Sequence, residues 1–410
     1  MKDRTPKRLD QLGSVARGKS RHRPRNDPSL YGGQWPFFQT GDVKAAELYL
    51  RTFTQTYSDV GLAQSKLWPA GTLCITIAAN IADTAILGIP GCFPDSVVGF
   101  IADPAKSDAR FVKYYIEILK QGMQNASRGT TQDNLSVDRL LTFDFLVPSV
   151  ERQREIASIL SAYDDLIENN TRRIAILEEM ARRIYEEWFV RFRFPGHEGV
   201  RMVESELGLV PEGWRLRTLG DLVDDVRDGV NPDAVAPETP YVGLEHIPRR
   251  SIALAEWGQA AEVGSTKLRF REGDILFGKI RPYFHKVAVA PVAGVASSDA
   301  IVIRVKRAQD FGLALAVASS DAFVAHATQT SNGTKMPRAN WGVLRQYPVL
   351  TPPRDLHTRF EEFMAGVVSA VGNHVLRNRN LRTTRDLLLP KLISGELDVS
   401  AMPEPEALAA

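Results

Sequence analysis

Phe145-Leu-Val-Pro148-Ser-Val-Glu-Arg-Gln-Arg-Glu-Ile156 closes a short apolar run on a proline and opens a stretch, Glu151 to about Arg191, free of proline and glycine. Ser149 is placed to cap a helix there, and Glu151 and Glu155 suit the positive end of its dipole. Apolar residues then fall on a heptad seam: Leu160, Ile167, Ile174, Ala181 and Trp188 in one column, Ile156, Tyr163, Leu177 and Ile184 in the other, with Asn170 interrupting. A seam sustained this long favours helix–helix packing over a surface helix. About 40 residues at 1.5 Å rise make a rod of roughly 60 Å.

The same transition occurs again. Val349-Leu-Thr-Pro352 precedes a second seam, with Met364 and Val371 in one column and Phe360, Val367, Leu381 and Leu388 in the other. His374 stands where Asn170 stood, and Asn378 and Arg385 interrupt the first column. The repeat extends beyond the helices, with a period of about 204 residues. Ser127-Arg128-Gly129-Thr130-Thr131 returns as Ser331-Asn332-Gly333-Thr334-Lys335, and Phe93-Pro-Asp95-Ser-Val-Val98 as Ser297-Ser-Asp299-Ala-Ile-Val302. Trp68-Pro-Ala-Gly71-Thr-Leu-Cys-Ile75 resembles Arg271-Glu-Gly273-Asp-Ile-Leu-Phe277 with the offset slipped by two, and Leu9-Asp-Gln-Leu12-Gly13 resembles Leu216-Arg-Thr-Leu219-Gly220. No pair is specific alone, but their collinear order is. Solenoid repeats are far shorter, so this period means duplicated domains.

Each copy has a globular stretch whose apolar runs, Leu73–Ile77, Val97–Ile101, Lys286–Ala290 and Ala300–Val305, read as strands between turns. A helix, Phe111–Gly122 or Phe311–Ala327, comes late in each. The expected fold class is α+β: two globular domains with mixed, β-rich cores and two long helices pairing as an antiparallel coiled coil, with pseudo-two-fold internal symmetry. The expected boundaries are 1–148 and 211–351 for the domains, 149–194 and 352–396 for the helices, 195–210 for a linker and 397–410 for a flexible tail. The seam residues Leu160, Ile167, Asn170, Ile174, Leu177, Val371, His374 and Leu381 are expected to hold the helices, with Asn170 and His374 fixing their register.

A hydrophobic fraction of 44% over 410 residues suits folded domains with real cores. The net charge is only +2, so any nucleic-acid surface must come from local clustering. Cys74 and Cys92 offer neither metal-ligand spacing nor a disulfide framework, which suits a reducing compartment. The charged N-terminus leads into no apolar run, and Leu73–Phe93 is interrupted by Asn80, Asp83 and Pro90. A cytoplasmic protein without membrane contact is expected.

Two duplicated domains, each followed by a long helix, resemble the specificity subunits of Type I restriction–modification enzymes. The likeness is carried by Pro148-Ser-Val-Glu-Arg-Gln153-Arg-Glu-Ile156 with Asp165-Leu-Ile-Glu-Asn169-Asn170, by Pro211-Glu-Gly213-Trp214, by Gly273-Asp274-Ile275-Leu276 and by Leu389-Pro390-Lys391-Leu392-Ile-Ser-Gly395-Glu-Leu397. It spans nearly the whole chain. The first copy departs from it by opening on Pro6-Lys7-Arg8-Leu9, and the second helix by reading Pro353-Arg-Asp-Leu-His357. The resemblance implies that each globular copy reads one half of a split double-stranded DNA target. It implies that the helices set the gap and dock two methyltransferase (modification) subunits, which restriction subunits then join. It also implies that this chain needs no cofactor of its own, the partners binding S-adenosylmethionine, ATP and Mg.

Local chemistry suggests where DNA would be met. Lys19, Arg21, Arg23 and Arg25 alternate along one stretch beside Arg17, able to neutralise phosphates; a solvated basic loop is the plainer reading. Arg128, Thr130, Thr131 and Gln132, and Asn332, Thr334, Lys335 and Arg338, flank the matched glycine turns and carry side chains that read bases or phosphates. A polar turn kept by the fold would look the same. Lys279, Arg281 and Tyr283 mix cations with an aromatic, where the first copy has Ala78-Ala79-Asn80-Ile81; an edge strand with snorkelling cations is the alternative. Arg377, Arg379, Arg382 and Arg385 crowd the second helix, facing DNA, an acidic partner or solvent.

An enzyme is the rival class. Asn231-Pro232-Asp233 and Asp27-Pro28-Ser29 lack the second proline and the aromatic of an amino-methyltransferase loop. Glu272-Gly-Asp274-Ile-Leu-Phe-Gly-Lys279 has nuclease residue types without alternating strand spacing. Neither a phosphate loop nor a Cys/His metal set is present. No catalytic residue and no metal site are expected. A coiled-coil scaffold, or a stand-alone DNA-binding protein without restriction partners, remains as the other reading.

Overall fold

The computed structural model describes residues 4–127 and 134–398. The chain divides into two compact units, Met1–Glu168 with Leu381–Ala410, and Asn169–Asn380. Each unit therefore holds one globular copy together with part of each long helix, a different partition from domains separated from helices.

In the first unit a five-stranded sheet runs in the order Gly13–Arg17, Val97–Ala102, Leu73–Thr76, Thr84–Leu87, Tyr49–Leu50. All neighbours are antiparallel except the last pair. The inner strands Leu73–Thr76 and Thr84–Leu87 are buried at every position, which explains their continuous apolar runs. The helix Ala109–Ser127 packs on this sheet through a stripe including Phe111, Val112, Tyr115 and Ile116. A small ladder, Thr5–Lys7 against Phe145–Val147, delivers the chain into the first long helix.

The second unit repeats the plan. Val223–Asp225, Ala300–Val305, Ile275–Gly278 and Val287–Val289 form a sheet in the equivalent order. The pairing Leu73↔Phe100 is answered by Ile275↔Ile303, and Thr76↔Val97 by Gly278↔Ala300. Arg215–Thr218 against Pro348–Thr351 is the counterpart of the small ladder. Gly71 and Gly273 sit at φ +85° and +83°, and their N–H groups donate to Leu87 and Ala290 at 2.8 and 2.9 Å. That shared left-handed turn is why glycine stands in both copies. The second unit adds a five-stranded sheet of short strands, including Lys267–Phe270 and Gly294–Ala296. The fold class is thus two mixed α/β copies with two long helices.

Several expectations are corrected. The first short helices are Leu9–Leu12 and Leu219–Leu222, so Leu9 answers Leu219 and not Leu216; all four end leucines are buried. The helix expected over Phe311–Ala327 is two, Phe311–Ala318 and Asp321–Gln329. Ser319 Oγ donates back to Leu315 O at 2.7 Å, and Ser320 Oγ accepts from Phe323 N at 3.1 Å. One serine ends a helix and the next caps another. Much of the expected linker is a hairpin, Met202–Ser205 against Gly208–Pro211. In the expected tail Leu397 packs against the first core; 399–410 lie outside the described residues.

The first long helix, Val150–Tyr185, begins as expected, with Ser149 Oγ accepting from Arg152 N at 3.4 Å, and continues as a wider turn over Glu186–Val190. The second is Arg354–Ser394. Within each unit the helix segments run antiparallel. In the first unit Arg152 meets Asp398 and Asp164 meets Arg385. In the second, Asn170 meets Asn378 and Trp188 packs near Phe360. Leu160, Ile167, Ile174 and Val371 are buried on the seam, while Leu177 and Leu381 are half-buried. The register pair is not Asn170 with His374. Asn170 Nδ2 donates to Asn378 Oδ1 at 2.8 Å, both being buried, and His374 is only half-buried.

The other interruption is also a partner. Asp164 is fully buried, accepting from Tyr114 Oη at 2.5 Å and from the Arg385 guanidinium. Burial, then the Asp164 carboxylate, push the Tyr114 phenol above its ordinary range, so it remains a donor. Among the described residues, no single helix is long and apolar enough to cross a membrane.

Candidate nucleic-acid interface

In each copy the sheet's buried strand runs out into a loop that folds in the left-handed region. Ala79 and Ala82 in the first copy have φ of 63° each; Arg281 and His285 in the second have 50° and 52°. Such conformations cost non-glycine residues about 1–2 kcal/mol each, so the surroundings must hold them. They do so alike. Leu135 N–H donates to Ile77 O at 2.9 Å in the first unit, and Ala78 bridges Asn134. In the second, Arg281 N–H donates to Pro337 O at 2.7 Å and Ala339 N–H to Lys279 O at 2.9 Å, while Ile280 bridges Arg338.

This pairing joins two sequence segments into one surface. Asn332 and Arg338 exchange backbone hydrogen bonds at 3.0 and 2.9 Å, closing the turn around Gly333 at φ +98°. Tyr283, Asn332, Thr334, Lys335 and Arg338 are exposed on it; Lys279 and Arg281 are half-buried. Lys279 Nζ donates to Ser298 O at 2.9 Å, which holds its ammonium beside the loop. The second-copy cations and Tyr283 are therefore brought together. Arg128, Thr130, Thr131 and Gln132 lie outside the described residues.

The basic stretch of the first copy is exposed at Lys19, Arg21, Arg23 and Arg25, but not all four cations are equivalent. Arg25 is held by Asp95, with Nη2 at 2.9 Å from both carboxylate oxygens, and Arg23 Nη1 donates to Ser20 O and His22 O at 2.7 and 2.8 Å. Asp95 answers Asp299 in the repeat, and Asp299 stands 3.8 Å from Arg338. In each copy the equivalent aspartate lies beside an exposed arginine.

Residues missed by sequence reasoning flank this surface. The Arg249 guanidinium lies 4.0 Å over the Phe284 ring, beside the exposed Tyr283. In the first unit, beside Ser65, whose Oγ donates to Lys19 O at 2.8 Å, Lys66 Nζ lies 3.5 Å over Trp68. Lys286 is drawn inward to Leu244 O, and burial, then Arg249, hold its ammonium below the ordinary lysine range. His285 Nε2 meets Ser319 O at 2.8 Å, and burial is the main reason its pKa is depressed. Neither Lys286 nor His285 is a free outward cation. A cation followed within a few residues by an aromatic was the available signal, but it does not say which side chain faces in.

The aspartate of the nuclease-like word is otherwise engaged. Asp274 is buried, accepts from Arg304 at 2.8 and 2.6 Å, and accepts from Arg271 N at 2.7 Å. Among the described residues, no group of three or more His, Cys, Asp or Glu is placed to hold a metal.

Comparison with known proteins gives a consistent result. A family model described as Type I restriction modification DNA specificity domain matches residues 1–179. The Type I restriction enzyme MjaIX specificity subunit of Methanocaldococcus jannaschii is 24% identical over 424 residues, covering 98% of this chain and 95% of that protein. The EcoDI specificity subunit of Escherichia coli is 22% identical over 393 residues, covering 89% and 83%. The crystal structure of a Type I restriction–modification system S subunit from M. genitalium shares the fold, with a TM-score of 0.62 at 14% identity over 95% of this chain and 96% of that one. With two copies of one sheet plan and two long helices, the chain shares the fold of that S subunit, its residues 1–179 match the Type I restriction modification DNA specificity domain, and it is similar to Type I specificity subunits along nearly its full length.

Proposed function

We propose that this chain is the sequence-reading subunit of a Type I restriction–modification enzyme, binding a bipartite double-stranded DNA target with one half read by each globular copy. The observation that carries this reading is the paired-loop surface, built on one backbone plan in both copies yet presenting different side chains. Ala79 stands where the half-buried Arg281 stands. A shared scaffold with divergent loops suits two readers of two sequences. A scaffold that never touches DNA gives no reason to collect Lys279, Arg281, Lys335, Arg338 and Tyr283 at one edge.

The chain acts as a non-catalytic subunit. Methyltransferase and restriction subunits are its partners, and two modification subunits are the stoichiometry that fits two helix segments of repeated design. S-adenosylmethionine, ATP and Mg belong on those partners, leaving this chain without a cofactor.

Lys335→Ala and Arg338→Ala test the interface. If both side chains meet phosphate, each variant weakens binding of the target duplex and lowers the salt slope by about one. If Arg338 reads a base, its variant instead costs about 1–3 kcal/mol and relaxes preference at one position of one half-site. Unchanged affinity and salt slope in the double variant contradict the placement.

A further inference from the structure

The two units hold their globular copies to the helices by joints at equivalent positions but of opposite polarity. Backbone hydrogen bonds fix the equivalence. Ile86 N–H donates to Leu48 O at 2.8 Å, and Val289 N–H to Ile252 O at 2.9 Å, so Glu47 answers Ser251. On the helices, Gln153 N–H donates to Ser149 O and His357 N–H to Pro353 O, at 2.9 and 3.0 Å. Counting equally from those starts, Glu178 answers Arg382.

In the first unit the helix supplies the cation and the globular copy the acceptor. Arg382 pairs with Glu47, and Arg385 lies 3.8 Å from the same carboxylate. In the second unit the helix supplies the acceptor. Glu178 Oε1 takes hydrogen bonds from Ser251 Oγ at 2.6 Å, Ile252 N at 2.8 Å and Ala253 N at 3.2 Å. The layer behind each joint differs too. Asp164 and Arg385 form a buried ion pair in the first unit, whereas the answering Val368 and Ala181 belong to the apolar core of the second.

We propose that these joints are orthogonal latches, assigning each globular copy to its own seat on the helices. The first seat accepts a domain with a carboxylate at position 47; the second accepts a domain whose turn at 251–253 offers N–H and O–H donors. A first-seat domain moved to the second would set its carboxylate against Glu178, and a second-seat domain in the first would turn its donors toward Arg382. Compatibility in domain exchange therefore turns on Arg382 in the first seat and Glu178 in the second. The latches are a matter of folding and stand apart from the proposed function.

The test is hydrogen–deuterium exchange of the full chain. Arg382→Glu should speed exchange at least ten-fold over 46–50 and 84–88, leaving 250–254 unchanged. Adding Glu47→Ser should restore protection, since a serine hydroxyl then donates to the new carboxylate as Ser251 does to Glu178. Glu178→Arg should speed exchange over 250–254 alone, and Ser251→Glu should restore it. The second pair stands if a first-seat variant fails to fold. Doubles no better protected than their singles, or singles without effect, overturn the proposal. DNA binding measured on the same proteins separates the outcomes: rescue of exchange in a chain that binds no duplex would sink the proposed function and leave the latches standing.

Discussion

Asn378 and Arg385 look like flaws when the second seam is read alone, because heptad logic ranks a polar seam residue as a loss. Each answers a polar residue on the other helix segment of its unit: Asn170 for Asn378 and Asp164 for Arg385. The partners are some 200 positions apart in sequence, so only the antiparallel alignment shows that the interruptions are complementary. Asp164→Ala should lower unfolding free energy by about 3 kcal/mol, since it leaves the buried end of Arg385 without its carboxylate; denaturant unfolding measures this. His374 carries a pH signature. Burial, then Arg173 and Arg377, depress its pKa from 6.5, so the unfolded chain takes up protons more readily. Stability should fall as pH drops below about 6.5 until the depressed folded pKa is passed. His374→Gln should remove part of that fall in stability–pH curves, with His285 supplying another part in the same direction.

At the scale of elements, the inner strands were legible because both their faces are buried. The break between Phe311–Ala318 and Asp321–Gln329 was not, since Ala, Val and serine pairs read equally well as one helix. The two serines act through their hydroxyls on the local backbone, a competition that periodicity does not register. The 195–210 stretch reads as a linker because glycine and charge are scattered through it, yet Met202–Ser205 and Gly208–Pro211 pair into a hairpin. Ile176 and Met180 stand exposed on the first long helix, at 60% and 46%. Apolar residues facing solvent on a helix otherwise packed by its seam suit a partner subunit. Ile176→Asp with Met180→Asp should leave the isolated chain's unfolding midpoint nearly unchanged and weaken its co-purification with the methyltransferase subunit.

For the whole molecule, the duplication was legible because short words recur in order; their agreement in strand order and pairing register shows that they mark one fold used twice. The candidate DNA-facing residues were less legible, because a surface made by pairing 279–283 with 332–339 has no contiguous signature. Composition found the cations without showing that Arg25 is bound by Asp95 or that Lys286 turns inward. Replacing residues 1–147 with the corresponding domain of a similar specificity subunit should change one half-site of the target and preserve the other, read from methylated positions across a genome. That two readers hold one duplex is decided by hydroxyl-radical footprinting of the chain assembled with its methyltransferase partner. Two protected segments separated by an accessible gap are expected; one continuous protected block, or none, would contradict it.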